Sequence, residues 1–146
     1  MTAVAPTAEA LQDWGRELAQ TLPPFTVLVL VGELGAGKTT LMKGVAEGWG
    51  VARAEDVTSP TYTLIHEYRR GPRTLYHLDL YRIETVPQLA TLGLEDVLAP
   101  PAEGEQRLVA IEWGERIEPQ LARPYLRIEL RHAGEGRREA TAGWVR

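Results

Sequence analysis

Residues 32–39 read Gly32-Glu33-Leu34-Gly35-Ala36-Gly37-Lys38-Thr39, a complete G-x-x-x-x-G-K-[ST] octet. That order of residues is built to hold phosphate. The glycines let the backbone turn tightly and aim successive N–H groups into a concavity that accepts anions. A helix opening at the end of the loop adds its N-terminal dipole to the same point. Lys38 is placed to reach β- and γ-phosphates, and the Thr39 hydroxyl suits Mg²⁺, an ion that keeps most of its own waters. Thr40 continues the loop into the helix.

Two acids stand where such a site needs them. Asp79 follows the apolar end of one strand pattern, and Glu112 follows another at Val109-Ala110-Ile111. In open α/β sheets, ligands bind beyond the carboxyl ends of the strands. An acid there can hold an Mg²⁺-bound water or orient the water that attacks a γ-phosphate. A plain solvent-exposed strand end is the competing reading, and spacing alone leaves the two open. A second acid near phosphate oxygens repels them unless Mg²⁺ intervenes, which favours metal-linked roles for Thr39, Asp79 and Glu112. Trp113, next to Glu112, is placed to line a nucleotide pocket. His66, His77 and His132 fall on separate predicted strands without metal-ligand spacing, and read as packed or surface histidines.

The elements that must position these groups follow from pattern. Thr26 to Val31 is β-branched and apolar, as a buried parallel strand should be, and residues 40–49 follow as a helix. An earlier helix is expected from Ala8 to about Leu22, with Leu11, Trp14, Leu18 and Leu22 on one face, Thr7 as its cap and Pro23-Pro24 as its stop. Tyr62 to Tyr68 reads as a strand, residues 69–72 as a turn and Arg73 to Leu78 as the antiparallel return. Thr85-Val86-Pro87-Gln88 is a capping box opening a helix toward Leu98, broken at Gly93. Residues 107–111 and 125–130 are further strands. A weaker one over 138–144 follows a hairpin turn at 134–136. Helices interleaved with strands predict an α/β, P-loop NTPase-like three-layer fold, its mixed sheet partly parallel with antiparallel additions.

With 146 residues, 44% hydrophobic and 25% charged, the chain is expected to form one domain over 1–146. It has no cysteine, so neither disulfides nor thiolate chemistry enter. No run is long enough to span a membrane, and the start lacks a signal peptide's basic and apolar regions, so a cytoplasmic protein is expected. The net charge is −4, and only Arg69-Arg70 and Arg137-Arg138 are adjacent basic pairs, so there is no basic stripe for nucleic acid. The chain contains no asparagine, so the Asn-Lys-x-Asp sequence that reads guanine cannot exist here, and ATP becomes the expected nucleotide.

Four segments together carry a resemblance: Gly-Glu-Leu-Gly-Ala-Gly-Lys-Thr-Thr at 32–40, Ser-Pro-Thr-Tyr at 59–62, His-Leu-Asp-Leu-Tyr-Arg at 77–82 and Ile-Glu-Trp at 111–113. In this order and in so short a chain they resemble the TsaE family, the P-loop ATPases of bacterial tRNA threonylcarbamoyladenosine biosynthesis. The resemblance runs from about Ala8 to the last hairpin. It implies that residues 35–40 wrap the phosphates, with Thr39 on Mg²⁺, and that Ser59-Pro60-Thr61-Tyr62 is a switch-like segment in which Thr61 senses the γ-phosphate. It further implies Asp79 as a Walker-B type acid, Glu112 as a second acid near Mg²⁺ and the attacking water, Trp113 beside the nucleotide, and Arg137 or Arg138 reaching it. Leu11 is a departure, since the family often has Thr there. The resemblance also implies that the ATPase supports a TsaD–TsaB pair, in which TsaD modifies adenosine 37, and meets tRNA only through that complex. Two other classes stay in view: a small-molecule kinase, which would need an acceptor pocket and an arginine-bearing lid, and a nucleotide sensor that does not hydrolyse.

Overall fold

The computed structural model describes residues 2–33, 37–60, 64–81 and 93–146. Its centre is a seven-stranded sheet in the order β1-β7-β6-β2-β5-β4-β3. The strands are β1 (Thr2–Ala5), β2 (Phe25–Gly32), β3 (Ile65–Arg70), β4 (Arg73–Asp79), β5 (Gln106–Glu112), β6 (Tyr125–His132) and β7 (Arg138–Val145). β4, β5, β2 and β6 run parallel, while β3 pairs antiparallel with β4 on one side, and on the other β7 pairs antiparallel with β6 and β1 with β7. This is the expected mixed sheet, with antiparallel additions at both edges.

The parallel strands are buried on both faces, and their residues divide by the two-residue strand period. Leu28, Leu30, Leu75, Leu108, Ala110, Leu126 and Ile128 face the helices α1 (Ala8–Ala19) and α2 (Lys38–Trp49). Val109 and Ile111, with Val27 and Tyr76, turn the other way, where Ile117, Leu121 and the helical turn Leu94–Val97 cover them. Helices lie on one side, short turns on the other, and the sheet between makes three layers.

Thr7 caps α1 as expected, its Oγ1 accepting from the Ala10 N–H at 3.1 Å. The helix ends earlier than the prolines demand. Thr21 satisfies the Leu18 carbonyl with both its N–H and its hydroxyl, a tight turn that closes the helix at Ala19. α1 and α2 pack closely because three glycines lie between them. A Cβ on Gly44 would sit 1.9 Å from the Gln12 carbonyl oxygen, and one on Gly48 would sit 2.2 Å from that of Arg16. The Arg16 guanidinium then bridges to Glu47 at 2.8 Å, and this hydrogen bond holds the Glu47 carboxyl below its ordinary range.

The strands also depart from the expected pattern. The β3–β4 loop is shorter than the predicted four-residue turn. Arg69 and Arg70 belong to β3, Arg70 pairs with Arg73, and the loop is Gly71-Pro72 alone, with Gly71 at φ 57°. A glycine in the first position of a two-residue loop supplies the positive φ that hairpins need. β1 pairs with β7 at the sheet edge, a strand too short to show in the sequence pattern. Asp79 and Glu112 are the last residues of β4 and β5 rather than the first beyond them. The expected capping box at 85–88 lies outside the described residues. Gly93 adopts a left-handed conformation immediately before Leu94–Val97, as a break there requires.

Candidate nucleotide site at the strand ends

β2 ends at Gly32 and α2 begins at Lys38. Of the octet between them, Leu34, Gly35 and Ala36 lie outside the described residues. Gly37 is the N-cap of α2 with φ 102°, a conformation only glycine adopts freely, and no side chain caps the helix. The N-cap glycine thus offers no side chain to the first-turn amides of α2, those of Lys38, Thr39 and Thr40. This arrangement suits an anion. The Leu41 N–H begins the helical ladder on the Gly37 carbonyl at 2.9 Å. Leu11 packs beneath this cap, its Cδ2 2.7 Å from where a Cβ on Gly37 would lie. At this departure from the family pattern the side chain supports the loop by packing, not through a hydroxyl.

Lys38 is 6% exposed. Its Nζ donates to the Gly32 carbonyl at 2.9 Å and lies 3.8 Å from the centre of the Trp113 ring. Burial lowers its pKa below the ordinary lysine value, opposed by the nearby charges of Glu112, Asp79 and Glu115. The lysine of the loop and both strand-end acids thus share one electrostatic environment.

The register explains how the acids meet. β4 and β5 are parallel, and Asp79 stands directly beside Glu112. Both are nearly buried, at 3% and 4% exposure, on the sheet face that carries α2. Asp79 Oδ1 accepts from the Tyr81 N–H at 2.9 Å, and the Glu112 carbonyl accepts from the Leu80 N–H at 3.0 Å, so the two strand ends are stitched together. Glu112 Oε2 is hydrogen-bonded to His77 Nε2 at 2.5 Å. His77 is fully buried, a packed histidine as expected, but this partner could not be read from spacing.

Trp113 has φ 60° and ψ 31°, a strained conformation for a bulky residue. The following Gly114 packs so tightly on β2 that a Cβ there would lie 2.8 Å from Val29 Cγ1. The bend turns Trp113 back over the strand ends, against Tyr81 at 5.1 Å between ring centres and against Lys38. Trp113 also lines a cavity of about 600 Å³ at the ends of β2 and β6, with Gly32, Glu33, Glu129 and Arg131.

The switch-like segment is only partly described. Thr61 and Tyr62 lie outside the described residues. Pro60 accepts the Leu64 N–H at 2.7 Å, and Leu64 in turn accepts the Asp79 N–H at 2.9 Å, which ties the segment to the Asp79 strand end. Its root is held to α2 by Lys43, whose Nζ donates to the Ala54 and Val57 carbonyls at 3.2 and 3.1 Å. Of the two hairpin arginines, Arg137 is exposed, while Arg138 passes 3.8 Å from the Cβ position of Gly37. Sequence spacing left that choice open because it depends on how β7 lies against the loop.

Among the described residues no three His, Asp or Glu side chains converge on one point. The oxygen donors on these elements are the Thr39 hydroxyl in the first turn of α2 and the carboxylates of Asp79 and Glu112, paired in register at the ends of β4 and β5. That set fits Mg²⁺, which takes one or two carboxylates and completes its shell with phosphate oxygens and water.

Comparison with known proteins shows the family. The family profile described as threonylcarbamoyl adenosine biosynthesis protein TsaE matches residues 5–140. The tRNA threonylcarbamoyladenosine biosynthesis protein TsaE of Synechocystis is 44% identical over 119 residues, covering 80% of this chain and 71% of that protein. The Treponema pallidum protein of the same name is 36% identical over 141 residues, covering 97% of this chain and 98% of its own. The crystal structure of Bacillus subtilis YdiB superposes with a TM-score of 0.73 at 34% identity, covering 97% of this chain and 83% of that one. With its octet, paired strand-end acids and sheet order set beside these relatives, the chain belongs to the TsaE family of threonylcarbamoyl adenosine biosynthesis proteins.

Proposed function

We propose that this protein is an Mg²⁺-dependent ATPase of the cytoplasm that supports a TsaD–TsaB pair in threonylcarbamoylation of tRNA adenosine 37. The observation that carries the reading is the convergence of an uncapped α2 N-terminus, the buried Lys38 and the Asp79–Glu112 pair at one end of the parallel strands. A phosphate chain laid against the α2 amides neutralises the buried lysine and is met by acids able to manage the attacking water.

In this reading the α2 amides and Lys38 take the phosphate charge, and Lys38 leaves its Gly32 carbonyl contact to do so. Thr39, Asp79 and Glu112 would hold Mg²⁺, which when bound neutralises charge on the phosphate oxygens. Glu112 orients the water for in-line attack on the γ-phosphorus and accepts its proton as the O–P bond to the leaving ADP breaks. Trp113 shields the reacting end from bulk water, and Arg138 approaches the loop from the β7 side. tRNA is met through the partners.

Phosphate release from ATP, alone and with TsaD–TsaB added, tests the reading. Weak release alone and stimulation by the pair are expected. Bound ATP with no release in single-turnover experiments on the assembled complex would leave a nucleotide sensor. Release that requires a small-molecule acceptor would point to a kinase.

A further inference from the structure

His77 is the one fully buried histidine, and its ring makes one side-chain hydrogen bond, to Glu112. We propose that His77 is a positioning residue: its Nε2–H holds Glu112 Oε2 and so fixes the direction in which the other carboxylate oxygen faces the attacking water. The inference rests on the ATPase reading above.

Three observations carry it. The first is placement. His77 and Asp79 are two residues apart on β4 and therefore share a face, and His77 pairs in register with Ala110 while Asp79 pairs with Glu112. Ala110 presents only a methyl group, which leaves space for the imidazole to lean along the sheet to the next position on that face. The second is chemistry. A carboxylate that takes a proton from water must start ionised and can then only accept, so the role proposed for Glu112 puts the proton of this 2.5 Å contact on Nε2. Nδ1 then carries a bare lone pair, and it meets no hydrogen-bond partner among the described residues. A buried acceptor left alone is better tolerated than a buried N–H, so this tautomer is also the one the pocket favours.

The third is cost. His77 sits on β4 with Leu75 and Leu78, both fully buried. An apolar side chain would fill the position without desolvating an imidazole. Among the described residues the ring builds no wider network, since its other nitrogen meets no partner there. The one side-chain hydrogen bond it makes among the described residues is with the carboxylate that the mechanism uses. The same logic holds catalytic carboxylates and imidazoles elsewhere, where an outer hydrogen bond fixes an inner group.

The test combines H77L, H77N and H77Q with E112A, reading ATP affinity by calorimetry and phosphate release in the presence of TsaD–TsaB. H77L is expected to lower turnover about 10- to 100-fold with ATP affinity changed less than about threefold. H77N, too short to reach Glu112, should behave like H77L, whereas H77Q, whose amide N–H can reach Oε2, should recover most of the rate. H77L combined with E112A should be no slower than E112A alone, because both act through one carboxylate. Equal losses in H77Q and H77L, or turnover unchanged in H77L, overturn the inference. Independently of any variant, two-bond ¹H–¹⁵N spectra of the unaltered protein should report the Nε2–H tautomer for His77. An Nδ1–H tautomer overturns the inference even if H77L does not fold. Hydrolysis by the parent that H77L leaves intact refutes the positioning role alone. No hydrolysis by the parent under any partner condition removes the ATPase reading and this inference with it.

Discussion

Burial lowers the Lys38 pKa, so the folded chain holds its ammonium in surroundings that disfavour the charge. A folded pKa below the unfolded 10.5 means that the native state binds fewer protons, so this group's contribution to stability rises as pH climbs through the folded pKa toward 10.5. In Lys38→Met that contribution is absent. Chemical denaturation of parent and variant without nucleotide should therefore show the parent gaining on the variant between pH 7 and the ordinary lysine range. A constant gap would mean that burial does not perturb Lys38. The same variant should lose ATP affinity by about 100-fold or more, near 2.7 kcal/mol, measured by calorimetry. Glu112 makes the opposite prediction. It accepts from His77 and stands beside Asp79 at the reacting end, so Glu112→Ala should keep ATP affinity while turnover falls by about 10²-fold or more. Undiminished hydrolysis in the full complex would remove Glu112 from the mechanism.

The two long helices depend on absent side chains. Gly15, Gly44 and Gly48 meet backbone oxygens across the α1–α2 contact, and a backbone oxygen cannot swing aside as a side chain can. Gly44→Ala gains about 1 kcal/mol in helix propensity, yet it must push α1 away by more than an ångström. The expected net loss is about 1–3 kcal/mol in denaturant unfolding. Gly143→Ala is the control. Nothing lies within 4 Å of a Cβ there, so it should change stability by no more than about 0.5 kcal/mol. Since α2 carries the loop lysine at its first residue, Gly44→Ala should also weaken ATP binding, an effect Gly143→Ala should not share. Lys43 and Glu47 extend this helix's influence to residues 54–57 and so to the root of the Ser59-Pro60 segment.

For the whole molecule the governing quantity is charge. A chain at −4 without a basic stripe has little to offer a polyanion, and counterion release from phosphates needs clustered Lys and Arg. Filter binding of the isolated protein to tRNA should be weaker than the ~10⁻⁴ to 10⁻⁶ M of ordinary non-specific binders at physiological salt. Tight, salt-sensitive binding would show that the protein contacts tRNA directly and would contradict the indirect role proposed above.

What the sequence determined by itself is what local spacing controls. The octet marked the passage from β2 into α2, and the apolar run from Thr26 fixed the strand leading into it. Thr7 fixed the start of α1, and alternation fixed β6. The motifs at 59–62, 77–82 and 111–113 fixed the family. The tertiary structure decided everything that needs register. Asp79 and Glu112 lie 33 positions apart in the chain and become neighbours only because β4 and β5 pair in parallel. His77 stands beside Ala110 in the same ladder and reaches Glu112, the next residue on that face. Arg138 rather than Arg137 approaches Gly37 because pairing of β7 with β6 sets which side chain turns inward. A one-residue slip in any of these ladders would send each of these side chains to the opposite face, and no pattern within a single strand encodes that choice.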